Sequence, residues 1–347
     1  MSDRRLFLDV GVGETRGVVA AAGGPERLLI VRDGDSAAQA LGARLVARIR
    51  KVERASALAF LDLGSGPDAV LNLRPEMGRL PEGQALEVEI RGEARGDKGA
   101  NVRLIGPAEG PVRLLAAAPT LIEQLQAAAP RATIITGSAA RRAADEAQDE
   151  ALQTVFALPG GGSVAVERTR ALTAIDVDLG DRPGAEAKRA ARQVNLAAIA
   201  TAARVLRLKG LGGLVVFDMA GRGHDGPALL AAARAAFAAD NPGVALGPIS
   251  RFGTLELTVP RRARPVIDVL ADHNGEPSVQ TQALALVRAL EREAVADGGA
   301  RLVASASPSV ARAAAPLVET LKGSVGGRVS VRPVESLGDA AWSVGPA

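Results

Sequence analysis

Two aspartates close the apolar strands of one strand–helix–strand unit in this chain. Asp176 ends an alternating, strand-like segment, and Asp218 directly follows the continuous apolar run 214–217. The alanine-rich segment between them is typical of a helix, which the glycines of GLGG at 210–213 end. Because such a unit tends to place its strands parallel, both carboxylates should lie at the C-terminal edge of one sheet, where α/β sheets bind ligands. Carboxylates paired at that edge are suited to hold a hard divalent cation.

The same residue types also allow a purely structural interpretation. An aspartate at the end of a strand is often a turn former or the N-cap of the next helix, so the residues alone leave both roles open. Asp178 adds a third carboxylate two residues after Asp176, on the same face if the strand continues that far. A carboxylate there should raise the affinity for a cation and repel an incoming phosphate.

The composition limits the classes of function. The 347 residues are enough for a good hydrophobic core and two or three domains. The net charge of +3 and the pI of about 9.7 permit nucleic-acid binding without proving it. The absence of cysteine excludes disulfides and cysteine-ligated zinc. The two histidines, His224 and His273, are too few for a histidine cluster.

The apolar segments predict a cytoplasmic protein. The N-terminal MSDRRLFLDV has no cleavable apolar stretch, and no uninterrupted apolar run reaches membrane-spanning length. Aromatic residues make up only 2% of the chain. That scarcity argues against aromatic stacking as the main interaction with a nucleic acid.

A run of short strands separated by turns fills the segment from Gly42 to about Leu104. Five short strands at this spacing are typical of a small barrel of the oligonucleotide-binding (OB) kind. Before this segment, residues 4–10 and 15–22 alternate as a β-hairpin, and after it residues 119–129 and 138–154 are predicted helices.

Three longer motifs follow one another in the second half of the chain. They are LPGGGSVAVERTRALTAIDVDLG at 158–180, LRLKGLGGLVVFDMA at 206–220 and ISRFGTLELTVPRR at 249–262. In sequence and in order they resemble the catalytic core of the ribonuclease E/G family, and a weaker likeness covers most of the chain.

The resemblance implies a metal-dependent endoribonuclease that cleaves single-stranded RNA and leaves 5′-phosphate and 3′-hydroxyl ends. It assigns Asp176 and Asp218 as catalytic residues and as the ligands of Mg²⁺ or Mn²⁺. Asp178 stands where the family has an asparagine that orients the first aspartate and the phosphate, and it is the third candidate catalytic residue. A general-base role for His224 is a further hypothesis, against the plainer interpretation of a solvated loop histidine.

Candidate substrate-binding residues come from two segments. Arg251, Arg261 and Arg262 stand in or beside the third motif. A short charge run is normally a solvated face, but its position beside a nuclease-like motif favours contact with flanking phosphates. The 42–104 segment resembles the family's S1-type barrel, which implies that Phe60 stacks a base and Lys98 contacts the backbone of RNA. Phe60 is alternatively a core-filling residue.

The chain differs from the family's pattern at several points. Val70 replaces the family's second stacking aromatic in the barrel. The interval 105–158 is too short for the family's 5′-end sensor, and ADHNGEPS at 271–278 stands in place of its Cys-x-x-Cys zinc link. These departures keep a second hypothesis open, a non-catalytic RNA-binding or ribosome-associated protein derived from the same family.

The predicted fold class is a multidomain α/β protein. An S1-type OB barrel is inserted in an RNase H-like region, and a DNase I-like α/β catalytic subdomain and a small α/β C-terminal domain follow it. The predicted boundaries are 1–38 and 106–162 for the two parts of the RNase H-like region, 39–105 for the barrel, 163–268 for the catalytic subdomain and 269–347 for the C-terminal domain. The expected partner is single-stranded RNA, not a membrane. A homodimer stays open, and a zinc-linked tetramer is not expected.

Overall fold

The computed structural model describes residues 4–96, 98–180, 187–222, 225–338 and 341–347. In these residues the strands are, in chain order, β1 Arg5–Gly11, β2 Glu14–Ala21, β3 Gly24–Arg32, β4 Arg44–Glu53, β5 Leu58–Asp62, β6 Ala69–Asn72, β7 Ala85–Gly92, β8 Asn101–Pro107, β9 Arg113–Ala116, β10 Ile134–Ile135, β11 Val155–Ala157, β12 Ser163–Arg168, β13 Thr173–Asp178, β14 Gly213–Asp218, β15 Ala245–Ile249, β16 Thr254–Val259, β17 Leu302–Ala306, β18 Val329–Pro333 and β19 Trp342–Pro346.

The α-helices of the described residues connect and cover these strands. They are α1 Leu121–Ala128, α2 Ser138–Leu152, α3 Ala187–Lys209, α4 Gly226–Ala236, α5 Val266–Leu270, α6 Val279–Ala296 and α7 Pro308–Val325. Among the described residues no helix combines the length and the apolar character that crossing a membrane requires.

The N-terminal sheet has the strand order β10-β1-β2-β3, and the predicted hairpin of β1 and β2 is confirmed. Phe7 and Val18 face α2, whose buried alanines allow the helix to approach the sheet closely. Leu6 and Val19 face α1 on the other side. Alternation along β1 and β2 therefore gives this sheet two apolar faces, one covered by α1 and the other by α2 together with Leu208 of α3 and residues of α5.

The OB-like barrel is the part of the predicted fold class that the structure confirms. Strands β4, β5, β6, β8 and β7 close on themselves through the pairing of β5 with β4, and β6 runs parallel to β8. Inward-facing aliphatic residues such as Leu45, Ile49 and Leu86 fill its core. Strand β9 extends the barrel sheet along β4. The likenesses of the other units to RNase H and DNase I stay predictions.

The six-stranded sheet that carries the aspartates has the order β11-β12-β13-β14-β16-β15. Strands β13 and β14 are parallel, as the strand–helix–strand pattern predicts. Ile175 and Phe217 point into a core formed with α3 and α4 on one face of the sheet. The alternate residues therefore point to the opposite face, where Leu214 is exposed.

The C-terminal unit is a three-stranded sheet of order β18-β17-β19 covered by α6 and α7. Ion pairs join it to the N-terminal sheet: Glu14 on β2 pairs with Arg32 at 2.8 Å and with Arg288 on α6 at 2.6 Å. Both carboxylate oxygens of the buried Glu14 are thereby satisfied, which offsets the cost of burying its charge.

The barrel is joined to the segment 261–264 through Glu93. Its carboxylate accepts hydrogen bonds from the N–H groups of Leu41 at 3.1 Å and Arg264 at 2.9 Å. The N–H group of Glu93 donates to the carbonyl of Arg262 at 2.7 Å. One residue at the end of β7 therefore connects the start of the barrel, its fourth strand in chain order and the chain that follows β16.

Candidate active site and nucleic-acid interface

The structure brings Asp176 and Asp218 together. They are directly opposite each other on the parallel strands β13 and β14, and neighbouring strands lie about 4.8 Å apart. Both side chains are exposed because Ile175 and Phe217, one residue earlier in each strand, point into the core. The alternation of TAIDVD and the apolar run LVVF thus direct two carboxylates to one face of the sheet.

This carboxylate pair fits a small hard cation. No described residue donates a hydrogen bond to Asp176 or Asp218 or forms an ion pair with either. Within the described ranges, no group of three or more His, Cys, Asp or Glu side chains converges as a metal site. The protein donors available at this edge are therefore two carboxylates. Mg²⁺, which keeps several of its water ligands and binds proteins through one or two carboxylates, suits that set.

Asp178 lies on the same exposed face but is turned toward its own loop. It is opposite Ser163 on β12, and its Oδ1 accepts a hydrogen bond from the N–H of Gly180 at 2.9 Å. This is the local side-chain-to-backbone turn that aspartate commonly forms at the end of a strand. The structure therefore does not group Asp178 with Asp176 and Asp218.

The loop after Asp218 is held by a side chain that the sequence did not indicate. Asn195, in the middle of α3 and only 1% exposed, donates from Nδ2 to the carbonyl of Ala220 at 3.0 Å. Its Oδ1 accepts from the N–H of Ala220 at 2.9 Å. Asparagine is a poor helix former, so its presence in an alanine-rich helix was the available signal. His224, the hypothetical general base, lies outside the described residues.

The turn between β15 and β16 carries Arg251 and Phe252 beside the carboxylate pair. Thr254, at the end of this turn, is opposite Asp218. The Ser250 hydroxyl accepts hydrogen bonds from the N–H groups of Phe252 and Thr254, each at 3.2 Å, which fixes the turn. Phe252 is 76% exposed, and the Arg251 guanidinium lies 4.7 Å from its ring centroid. Phe252 was not among the predicted site residues, since a sequence does not show which phenylalanines are exposed.

Four predicted substrate-binding residues line a second region, a cleft of about 700 Å³ between the barrel and the end of β16. They are Phe60, Lys98, Arg261 and Arg262. Phe60 is half-buried on the outer surface of β5, while Ala59 and Leu61 on either side fill the barrel core. The core-filling alternative for Phe60 is therefore wrong. Val70 is directly opposite Phe60 on β6 and lines the same cleft.

The arginines after β16 have different environments. Arg262 donates from Nη2 to the carbonyls of Asp240 at 3.1 Å and Pro242 at 3.0 Å, which tethers that turn. Its predicted contact with phosphate stays a prediction. Arg264 pairs with Asp35 at 3.1 Å. Arg261 is exposed and donates from Nε to the carbonyl of Gly212 at 3.0 Å.

The two groups of site residues lie at opposite ends of the same strands. Asp218 is opposite Thr254, whereas Gly213 is opposite Val259 beside the cleft. Asp218 lies five positions after Gly213 along the strand, which corresponds to about 17 Å. A polymer is the kind of ligand that could contact both groups at once.

An OB-like barrel joined to an α/β sheet with two carboxylates at one edge defines a class of multidomain α/β proteins. Residues 123–262, from α1 to the arginines after β16, match the Ribonuclease E/G family. The resemblance seen in the three motifs is confirmed over these residues, which make up less than half of the chain.

Curated relatives agree with this family. Ribonuclease E of Escherichia coli (strain K12) is 33% identical over 159 residues, which are 42% of this chain and 15% of the relative. Ribonuclease E of Buchnera aphidicola subsp. Schizaphis graminum is 38% identical over 114 residues, 32% of this chain and 12% of the relative. A chloroplastic Ribonuclease E/G-like protein of Arabidopsis thaliana is 33% identical over 139 residues, 39% of this chain and 14% of the relative. The chain spans less than a fifth of the length of these relatives.

Proposed function

We propose that this chain is an endoribonuclease that hydrolyses single-stranded RNA at the Asp176–Asp218 pair, with Mg²⁺ or Mn²⁺ bound there, and leaves 5′-phosphate ends. The observation that carries the proposal is the position of the two carboxylates, directly opposite each other and exposed on β13 and β14. They lie within the segment that matches the family, and its relatives are named ribonuclease E.

The first contribution of the protein to the reaction is the negative charge of Asp176 and Asp218. Two adjacent carboxylates repel an RNA phosphate and attract a cation, so RNA and metal should bind together at this edge. When bound, a divalent cation supplies a Lewis acid that stabilises the negative charge of phosphate hydrolysis in the transition state. Asn195 fixes the backbone two residues after Asp218 and so acts as a positioning residue for that carboxylate.

The Arg251–Phe252 turn supplies a second contact for RNA close to the carboxylates. Phe252 offers an exposed aromatic face on which a base can stack, an interaction worth about 1–3 kcal/mol per base. The Arg251 guanidinium lies over that ring and carries donors for a neighbouring phosphate. The turn therefore suits an unpaired strand rather than a duplex, whose bases are already stacked.

The cleft at the barrel supplies the third contact. Phe60 and Lys98 on the barrel and Arg261 after β16 border one space, so a strand there meets an aromatic ring and two cations. Stacking and phosphate contacts of this kind bind single strands with little dependence on sequence. RNA binding should accordingly weaken as the salt concentration rises.

The test is cleavage of a single-stranded fluorogenic RNA with Mg²⁺, with EDTA as a control. Asp176→Asn and Asp218→Asn should each reduce kcat by several orders of magnitude, because each removes one of the two negative charges that would hold the metal. Asp149→Asn, an exposed carboxylate on α2 away from this sheet, is the matched control and should cleave like the parent. Cleavage by Asp218→Asn at the parent rate, in a protein with unchanged Tm, would exclude the proposed site.

The second candidate function is RNA binding without cleavage, by a protein that could associate with ribosomes. Asp178, turned to Gly180 where the family has an asparagine, and Val70 in place of a stacking aromatic favour it. A parent protein that binds single-stranded RNA tightly but cleaves none with either Mg²⁺ or Mn²⁺ would support this candidate instead.

A further inference from the structure

A basic cleft of about 710 Å³ opens at the end of β13 and β14 opposite the carboxylate pair. Its walls come from Arg95, Gly96 and Lys98 of the barrel, the turn at 168–173, the glycine-rich segment 210–212 and the connection between 261 and 275. The charged lining residues are Arg95, Lys98, Arg168, Arg170, Arg261, Asp268 and Asp272. Among the described lining residues, cations thus outnumber carboxylates.

Each carboxylate of the lining is engaged through its Oδ1 atom. Asp268 pairs through Oδ1 with Arg168 at 2.5 Å. Asp272 uses Oδ1 to accept hydrogen bonds from the N–H groups of Asn274 at 2.8 Å and Glu276 at 3.1 Å. Asp272 therefore builds its own turn, and within the described residues Asp268 is the carboxylate that pairs with a cation of the cleft.

Arg95 lies among like charges. It is half-buried and has no ion-pair partner among the described residues, which exclude its neighbour Asp97. Burial lowers the pKa of Arg95, and the positive charges of Arg261 and Arg168 lower it further, against the opposing effect of Asp268. The guanidinium groups of Arg168 and Arg261, which line the same cleft, are thus close enough to repel that of Arg95, and an anion would stabilise this arrangement.

The local backbone fixes two of these arginines in place. The Thr169 hydroxyl accepts a hydrogen bond from the N–H of Leu172 at 3.1 Å and donates to its carbonyl at 2.8 Å, which closes the turn after Arg168. Arg261 lies against Gly212 and Gly213, where a Cβ added to Gly213 would be 2.1 Å from Nη2. The Arg168 side chain also pairs with Asp268, and that of Arg261 donates to the carbonyl of Gly212, so both are held before a ligand arrives.

We propose that Arg95, Arg168 and Arg261 form a phosphate-binding site that holds the backbone of the RNA strand away from the point of cleavage. The inference rests on the proposed function, because it takes RNA as the ligand. Guanidinium groups bind phosphate oxygens through paired, planar N–H donors, which suits three arginines better than any apolar ligand. The site lies about 17 Å along the strands from the carboxylates. A strand that fills both is therefore several nucleotides long.

The test measures binding rather than cleavage, so it also works if the protein is inactive. A 3′-labelled single-stranded 12-nucleotide RNA is titrated in EDTA and followed by fluorescence anisotropy over a range of salt concentrations. Arg95→Ala and Arg168→Ala should each weaken binding at least fivefold. Each should also reduce the slope of log K against log salt concentration by about 0.7, the value for one phosphate contact on a single strand.

Matched variants separate this site from general effects of charge and folding. Arg312→Ala, which removes an exposed arginine of α7, should change neither the affinity nor the slope. Asp268→Asn, which removes the counter-charge of Arg168, should tighten binding severalfold. Arg168→Lys keeps the charge without the planar donors, and it should restore the slope but only part of the affinity. Tm values identify any variant that fails to fold.

Two further experiments identify which phosphate the site binds. The 12-nucleotide RNA is compared with a 5′-hydroxyl and with a 5′-monophosphate, and inorganic phosphate is tested as a competitor. Equal affinity for the two ends, with no competition by millimolar phosphate, supports an internal phosphate of the strand. A preference for the 5′-monophosphate that Arg168→Ala abolishes would show instead that the site binds the terminal phosphate. Unchanged affinity and slope in both Arg95→Ala and Arg168→Ala would overturn the site itself.

Discussion

Gly213 and Arg261 are in direct contact, because the guanidinium group of Arg261 lies over the backbone of Gly213 at the start of β14. A Cβ at position 213 would be 2.1 Å from Nη2 and 2.4 Å from Nε of Arg261. Gly213 also has a φ of +100°, a conformation that residues with a side chain rarely adopt. The GLGG motif therefore does more than end a helix, since its last glycine provides the surface that orients an arginine.

Gly213→Ala should move Arg261 and weaken RNA binding without changing any charge. The strained φ should lower the free energy of unfolding by about 1–2 kcal/mol. The displacement of the guanidinium group should weaken RNA binding several-fold. Affinity measured in EDTA together with thermal unfolding checks both effects. Gly327→Ala is the control, since a Cβ there meets no atom within 4 Å. RNA affinity equal to that of the parent would show that the position of Arg261 does not matter for binding.

Asn195→Ala should reduce cleavage more than RNA binding. The substitution leaves the N–H and carbonyl of the buried Ala220 without their partner, at a cost of about 1–3 kcal/mol for each unsatisfied group. The loop after Asp218 should then lose its fixed position, so kcat falls while KM for RNA changes little. Steady-state kinetics and Tm are compared with those of Gln193→Ala, an exposed neighbour on the same helix. Equal losses in kcat and in RNA affinity would argue against a positioning role.

Asp178→Asn should keep cleavage at saturating Mg²⁺. An asparagine oxygen can accept the same hydrogen bond from the N–H of Gly180, so the turn should persist. The lost charge on the same sheet face should raise the Mg²⁺ concentration needed for half-maximal rate. The measurement is the initial rate over a Mg²⁺ titration, beside Asp176→Asn. A loss of activity as complete as in Asp176→Asn would make Asp178 an obligatory ligand.

Cleavage should not depend on the chemistry of the RNA 5′ end. The interval between the barrel and β11 is used for other purposes, because β9 extends the barrel sheet, while α1, β10 and α2 belong to the N-terminal sheet. One RNA prepared with a 5′-hydroxyl, a 5′-monophosphate or a 5′-triphosphate should be cleaved at rates within about twofold. That difference is well below the 1.4 kcal/mol of a tenfold preference. A tenfold preference for the monophosphate would reveal an end sensor in the protein.

Local patterns predicted the elements that place the carboxylate pair. Alternation in TAIDVD and the apolar run before Asp218 indicate two strands, and the alanine-rich segment between them indicates a helix. Parallel pairing then follows from the short crossover, and so does the meeting of Asp176 with Asp218. The strand β19 was missed because WSVGP contains glycine and proline, which usually mark turns.

Contacts between distant segments could not be predicted from the same patterns. Arg262 is tethered by carbonyls 20 and 22 residues earlier in the chain, and nothing in its charge run distinguishes it from Arg261. The cleft of Arg95, Arg168 and Arg261 is assembled from four separate segments. Only the folded chain brings these charges together, since local sequence encodes secondary structure and burial but not which surface loops become neighbours.

The connection through Glu93 has a consequence for the rate of RNA association. Because its carboxylate joins the start of the barrel to Arg264, and its N–H group joins β7 to Arg262, the two walls of the cleft at the barrel are held together in the free protein. No large ordering of the protein then has to accompany the encounter with RNA. Association should be a single fast phase governed by electrostatic attraction, whereas a surface assembled only on binding would add a slower, salt-independent phase.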